Sequence, residues 1–210
     1  MFIGNFFHKP NVDAVLTLKN QIWKQIRKQL PKAEIHIYGA YINQQISQLH
    51  NKKEGFIIKG FAEEAKEVVK RARVVLAPLN FGAGIKGKLT EAMICGTPSV
   101  TTNIGAEGMH NNNSWNGFIE DDYAKFSKKA IQLYTDEILW KNSQKNGIEI
   151  INQIYDKEKI GVQFINQIKE IQENLEDHRT QNFLGSLLQH QTLQATKFMS
   201  KWIESKNSIQ

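Results

Sequence analysis

No proline follows Pro98 in this chain of 210 residues, whereas Pro10, Pro31, Pro78 and Pro98 punctuate the stretch before it. Proline removes a backbone donor and clashes with the preceding helical turn, which makes it the strongest breaker of a helix interior. The first half is therefore cut into short elements, and the second is free to be mostly helical. Apolar residues recur there at helical spacing: Tyr123, Phe126, Ala130 and Leu133; then Phe164, Ile168, Ile171 and Leu175; then Leu184, Leu188, Ala195, Phe198 and Trp202. They predict helices over residues 122–135, 137–155, 158–176 and 181–205, with the stripes as core-packing faces and Trp202 capping helix packing.

Between the prolines the period alternates. Phe2-Ile3-Gly4, Glu34–Tyr38, Phe56–Ile58, Val74–Ala77 and Ser99–Thr102 read as strands, and Trp115–Ile119 as one more. Asn11–Leu30, a short segment around Ile42, Ile46 and Leu49, Ala62–Arg71 and Lys86–Cys95 read as helices. Strand–helix repetition with short loops predicts an α/β fold. It is a Rossmann-like parallel sheet with helices on both faces over residues 1–135, followed by a helical C-terminal extension, residues 136–210, packing on it. Such sheets bind ligands at the carboxyl ends of their strands. The loops after Gly4, Gly39, Gly60, Leu79 and Thr102 are the ones to inspect.

Composition excludes several classes. A single cysteine, Cys95, allows neither an intramolecular disulfide nor a cysteine-rich zinc site. His178 and His190 form no metal spacing, and no metal is expected. No run approaches the roughly 20 apolar residues of a membrane span, and Met1–Phe7 is too short for a signal peptide. A cytoplasmic protein, peripheral at the inner membrane face at most, is the expectation. The formal charge of +6 is uneven: residues 1–110 hold 15 Lys and Arg against 8 Asp and Glu, and the remainder 12 against 13. That excess suits a phosphorylated partner, or simply a solvated face through Lys19, Lys24, Arg27, Lys28 and Lys32. Nucleic acid is not expected, since interleaved aromatics and a basic recognition helix are missing.

The strongest local feature runs from Ala77 to Ala92: a buried strand, then Asn80-Phe81-Gly82-Ala83-Gly84-Ile85-Lys86-Gly87-Lys88, then a helix. Glycine lets a backbone approach a ligand without a clashing Cβ. Free N–H groups and the dipole at the helix start favour an anion, and Lys86 and Lys88 add charge at the same end. A diphosphate suits such a loop, and Glu91 could accept hydrogen bonds from a ribose diol. The same segment could instead be a tight turn with surface lysines. It is neither a Walker A loop nor a dinucleotide fingerprint, because Gly4-Asn5-Phe6-Phe7 supplies one glycine where the latter needs three.

The run Phe81–Lys88, with Glu91-Ala92 and Cys95-Gly96-Thr97-Pro98-Ser99-Val100, resembles the donor half of retaining family 4 glycosyltransferases (group 1 glycosyl transferases) of the GT-B fold. Phe2-Ile3-Gly4 with Pro10-Asn11, Leu30-Pro31, Tyr38-Gly39, Lys59-Gly60-Phe61, Ile104–Gly108 and Trp115-Asn116-Gly117 fall in the expected order. The resemblance covers residues 1–135. It implies transfer of a sugar from a nucleoside-diphosphate sugar with retention of configuration, in polysaccharide or glycoconjugate biosynthesis, without a metal or other cofactor. Residues after Gly39 and around Gly60 and Phe61 would flank the base. Glu91 matches the second Glu of the family's Glu-x7-Glu motif, the ribose ligand. Gly84, Ile85 and Lys86 would meet sugar and diphosphate, Asn80, Phe81, Gly82 and Ala83 would also belong to the donor site, and Lys86 or Lys88 would stabilise the leaving group. The loop of Gly4, Asn5 and His8 lies where the family often places an Arg and a Lys. The Arg is missing, and His8 or Lys9 would substitute. Glu107, after the fifth strand, would be either a further donor contact or a turn-stabilising residue. The motif's first Glu falls at Ala83, a departure that bears on the sugar.

Two other readings stand beside this one: a sugar-nucleotide epimerase of similar fold, and a non-catalytic sugar-nucleotide-binding subunit or interaction module. The acceptor, a glycan or lipid-linked sugar, would be met mainly by a separate N-terminal domain or chain. A complete enzyme of the resembled fold has two Rossmann-like domains of about 150 residues or more each. The expectation is a fragment, a truncated product or one subunit of a split enzyme, better at binding donor than at transferring sugar.

Overall fold

Short apolar strands buried on both faces are the signature of a parallel sheet between helical layers. The computed structural model describes residues 1–207, apart from the side chains of residues 190–193. Strands β1 (Phe2–Ile3), β2 (Ile35–Tyr38) and β3 (Phe56–Gly60) pair in parallel in the order β1-β2-β3. Phe2 lies opposite Ile37, and Ile35 opposite Phe56. Strands β4 (Val75–Ala77), β5 (Ser99–Thr101) and β6 (Gly117–Ile119) form a second parallel trio, with Leu76 opposite Val100. Met1 joins the two. Its nitrogen donates to the Val74 carbonyl at 2.7 Å, and its carbonyl accepts from Leu76 N at 2.9 Å. That is the slanted bond pair of a parallel bridge, so β1 runs beside β4 and the strands order 3-2-1-4-5-6.

Alternation along the strands sends side chains to both faces. Phe2, Ile35, Ile37 and Leu76 join the main core with Val15, Leu18, Ile22 and Ile26. Met1, Ile3, Tyr38 and Val75 turn the other way, toward Val68, Val69, Ala92 and Cys95. The first face is covered by α1 (Lys9–Thr17), a π-helical turn (Leu18–Ile22) and α2 (Trp23–Gln29). Helices α4 (Ala65–Lys70) and α5 (Gly87–Ile94) cover the second. A short α3 (Gln44–Ser47) follows β2, and α6 (Asn103–Ala106) follows β5. Helices α7 (Tyr123–Thr135) and α8 (Glu137–Ile154) complete this unit, Met1–Asp156.

One buried polar network ties β5, β6 and α8. Ser99 Oγ donates to Asn116 Oδ1 at 2.7 Å, Trp115 Nε1 donates to Ser99 Oγ at 3.2 Å, and Asn116 Nδ2 donates to the Thr97 carbonyl at 3.3 Å. Gly147 lets α8 come close, since a Cβ there would stand 2.8 Å from Asn116 Cβ. Asn116→Ala strands the buried Ser99 hydroxyl and Thr97 carbonyl. We expect it to cost about 1–3 kcal/mol, read as a lower urea midpoint with unchanged m. An unchanged midpoint would mean the network contributes nothing.

A second unit, Lys157–Gln210, holds α9 (Lys157–Glu173), α10 (Leu175–Gln181) and α11 (Phe183–Asn207). The boundary expected from sequence stood at residues 135 and 136, one helix earlier. The expected helix over 11–30 is interrupted: Trp23 N–H bonds to the Leu18 carbonyl, five residues back, and the Ile22 carbonyl accepts from Ser127 Oγ at 3.4 Å. α6 and α10 appear where no separate helix is predicted. The helical stripes also divide. Phe126, Ala130 and Leu133 are buried as expected. Phe164, Leu184, Phe198 and Trp202 are instead 59%, 69%, 61% and 60% exposed, which corrects the reading of those stripes as core and of Trp202 as a cap. Helical period fixes which residues share a face and leaves open what covers that face. None of the described helices is long and apolar enough to cross a membrane.

Candidate functional site

The carboxyl ends of β1, β2 and β3 and the start of α5 surround a cavity of about 360 Å³. It lies against β1, where the strand order reverses, the crevice in which open α/β sheets bind ligands. Gly4, Asn5, Gly39, Phe61, Lys88 and Glu91 line it, together with Asn11. Residues far apart in sequence thus meet because three parallel strands and one helix deliver them to one edge.

Two close approaches shape the floor. A Cβ on Gly39 would overlap the Gly4 carbonyl oxygen and stand 2.5 Å from the Phe6 ring. On Gly4, a Cβ would stand 2.8 Å from Asn11 Cγ. Lacking both, the backbone after β1 sits down on the end of β2. Gly4 N donates to the Tyr38 carbonyl at 3.1 Å, and Phe6 N to the Ala40 carbonyl at 3.0 Å.

Lys88 is the electrostatic centre. It stands in the first turn of α5, 4.8 Å above the Phe2 ring centroid, and donates to Asn11 Oδ1. Burial pushes its amine down to about 8, because desolvation penalises the charged form. Lys86 precedes α5 as its N-cap residue, and its Nζ is buried without a hydrogen-bond partner. Two lysines thus stand at the start of α5, Lys88 lining the cavity and Lys86 outside its lining, where Leu89 N already donates to the Lys86 carbonyl at 2.8 Å. Such an arrangement favours an anion.

The other predicted positions lie outside the lining of this cavity. Gly60 ends β3 with a positive φ of 89°, and its carbonyl accepts from Gly39 N at 2.9 Å. His8 is an exposed N-cap of α1 outside the cavity lining. Gly82, Ala83, Gly84 and Ile85 form an exposed loop. Phe81 faces a different cavity, with Phe6, Lys9 and Asp13. Asn80 is occupied structurally: its Nδ2 donates to Asp13 Oδ2 at 2.7 Å, and its Oδ1 accepts from Tyr123 Oη at 2.8 Å. Glu107 lines a separate cavity with Asn103, Ile104 and Gly108. Asn11 was missed as a site residue. The available signal was a polar amide one position after Pro10, on a helix whose other buried positions are Ala14, Val15 and Thr17.

Another cavity, of about 390 Å³, opens at the amino ends of the strands over Trp23, Ile26, Leu30 and Val74. Lys32, Glu34, His36, Arg71 and Arg73 also line it, and it lies at the end of the sheet that does not carry ligands in this fold. Cys95 packs beside Val75 and Ala92, and burial raises its thiol, which fits a core residue better than a nucleophile. Among the described residues, no three His, Cys, Asp or Glu side chains group to hold a metal.

Residues 1–136 match the family described as glycosyl transferases group 1, and the chain belongs to it. An uncharacterized 44.6 kDa protein in the cps region of Klebsiella pneumoniae is 27% identical over 169 residues, covering 76% of this chain and 43% of its own length. TarM of S. aureus, solved as a mutant in complex with fondaparinux, α-GlcNAc-glycerol and UDP, superposes with a TM-score of 0.65 at 20% identity, over 79% of this chain and 34% of that one. The pneumococcal O-GlcNAc transferase GtfA, in complex with UDP and GlcNAc, gives 0.61 at 18%, over 81% and 35%. HepE of Anabaena, in complex with UDP, gives 0.58 at 17%, over 80% and 48%. At these identities the likeness is one of fold, that of GT-B glycosyltransferases. The chain spans less than half the length of each of these proteins.

Proposed function

We propose that this chain binds the nucleoside-diphosphate sugar for a retaining glycosyl transfer, as the donor half of a GT-B enzyme. The observation that carries this reading is the convergence of Lys88, Glu91, Gly4, Gly39 and Phe61 on one cavity at the carboxyl ends of the strands. The diphosphate lies at the start of α5, Glu91 holds the ribose diol, and Gly60 and Phe61 border the base. Departure of the nucleoside diphosphate builds negative charge, which Lys86, Lys88 and the first-turn N–H groups stabilise as it forms. The family usually brings a cation from the loop after the first strand. Here a buried lysine on α5 stands against that loop instead. No metal takes part. The reaction belongs to polysaccharide assembly in the cytoplasm, at the inner membrane face, with an acceptor glycan or lipid-linked sugar presented by another domain or chain. The similar protein in a cps region supports that setting.

Isothermal titration with UDP, GDP and ADP tests the reading. At least one should bind more tightly than inorganic phosphate, and failure of all three would sink it. Lys86→Ala should weaken the diphosphate about tenfold while leaving the nucleoside unchanged, as loss of one charge-assisted bond requires. Glu91→Ala should weaken nucleoside and diphosphate alike. Equal losses for Lys86→Ala would remove its assigned role.

A further inference from the structure

Asn11 is 8% exposed, and both ends of its amide are used. Nδ2 donates to the Asn5 carbonyl at 2.7 Å, in the loop after β1. Oδ1 accepts from Lys88 Nζ, across from α1 to α5. Gly4 is what makes room for this side chain. One amide therefore connects a loop, a helix and the buried amine at the cavity.

Resting on the donor reading above, we propose that Asn11 is the positioning residue of Lys88, holding its amine at the cavity in a form that takes up a proton and transfers to the diphosphate as the ligand arrives. The amine touches neutral groups, and Lys86, two residues before it at the start of α5, adds a second cation rather than a counter-charge. β1 supplies the Phe2 ring and α1 the Asn11 amide, while Asn5 and Ala65 line the same cavity. Glu91, on α5 itself, is the one other ionisable residue lining the cavity. Buried away from water, the free amine loses its proton at about 8. An arriving phosphate supplies the missing charge and raises that value. The gain from the cation is then fully present below the free amine's value and is lost as pH rises above it. The Asn11 carbonyl oxygen favours the ammonium form and exchanges it easily, since it is neutral. A carboxylate in its place would hold the ammonium too firmly to release it.

Two measurements on the 210-residue chain decide this. The first follows the Lys88 amine by NMR of its 13Cε without ligand. Asn11→Ala should lower its midpoint and Asn11→Asp should raise it. The second is UDP titration between pH 7 and 9.5 in buffers of differing ionisation enthalpy. Wild type should take up protons on binding and lose about tenfold in affinity per pH unit above the midpoint. Asn11→Asp should bind UDP about tenfold more weakly at pH 7 and lose this pH dependence, while Asn11→Ala should move it to lower pH. A merely structural role would change affinity without moving any midpoint. Coincident midpoints in all three proteins would overturn the proposal while UDP binding survives. Absence of UDP binding in wild type would instead overturn the donor reading and this inference with it. Should Asn11→Ala fail to fold, the shape-conserving Asn11→Asp decides alone.

Discussion

Lys88→Met should make the protein more stable and less able to bind a diphosphate. Burial lowers the Lys88 amine from 10.5 to about 8. A shift of that size corresponds to roughly 3 kcal/mol against the charged form at neutral pH, an upper bound on what the fold gives up to keep the cation there. Methionine keeps the length and the contact with Phe2 and discards the charge. It also discards the bond to Asn11, worth about 1 kcal/mol, and the cation–π contact, worth about as much. The balance favours the variant by about 1 kcal/mol, or about 2–4 °C in Tm for a chain of this size. UDP affinity should fall about 10- to 100-fold, the loss expected of a desolvated charge-assisted contact. The pH dependence of stability carries an independent signature. Between about 8 and 10.5 the unfolded chain still holds the Lys88 proton and the folded chain has released it. The unfolded state therefore binds more protons, and wild-type stability should rise across that window. Lys88→Met should lack that rise. Tight UDP binding by the variant would remove Lys88 from the site, and a lower Tm would show that its burial costs nothing.

Gly39→Ala should have the largest effect on folding. Its Cβ would fall on the Gly4 carbonyl oxygen and against the Phe6 ring, and both obstacles are fixed. Gly4 N is bonded to Tyr38 and Phe6 N to Ala40, so neither segment can retreat without breaking the end of the sheet. Overpacking against backbone costs about 3 kcal/mol or more, equivalent to about 6–12 °C in Tm. Thermal unfolding followed by circular dichroism would read it. Gly87→Ala, at the start of α5, is the control, since a Cβ there would meet nothing within 4 Å. Equal Tm values for the two variants would refute the steric account.

Much of the fold was legible because proline, glycine and apolar period agree along the first half. The strands at Phe2, Ile35, Phe56, Val75 and Ser99 and the helix after Gly87 follow from that agreement. Lys88 and Glu91 could be placed together at one cavity because a helix start and its spacing are local properties. Asn11 could not, since its role depends on Gly4 making room and on a lysine 77 positions away, both of them tertiary facts. The reading of Asn80 as a donor contact came from its place in the loop, whereas its amide partners lie on α1 and α7. The stripes of α9 and α11 were correctly seen as helical faces. Period alone could not say that Phe164 and Trp202 would stay more than half exposed.

The π turn at Leu18–Ile22 sets a tolerance for change in chain length. An α-helix with one residue too many for its faces can absorb the excess as a single wide turn, as this helix does between Thr17 and Trp23. Removing one residue from that turn should be forgiven, because the segment would relax into an ordinary helix with Asn11 and Ile26 still facing inward. Adding one has no such outlet. It would rotate either the asparagine away from the lysine or Trp23 and Ile26 away from the sheet. Length variation at this helix should therefore run in one direction, toward deletion.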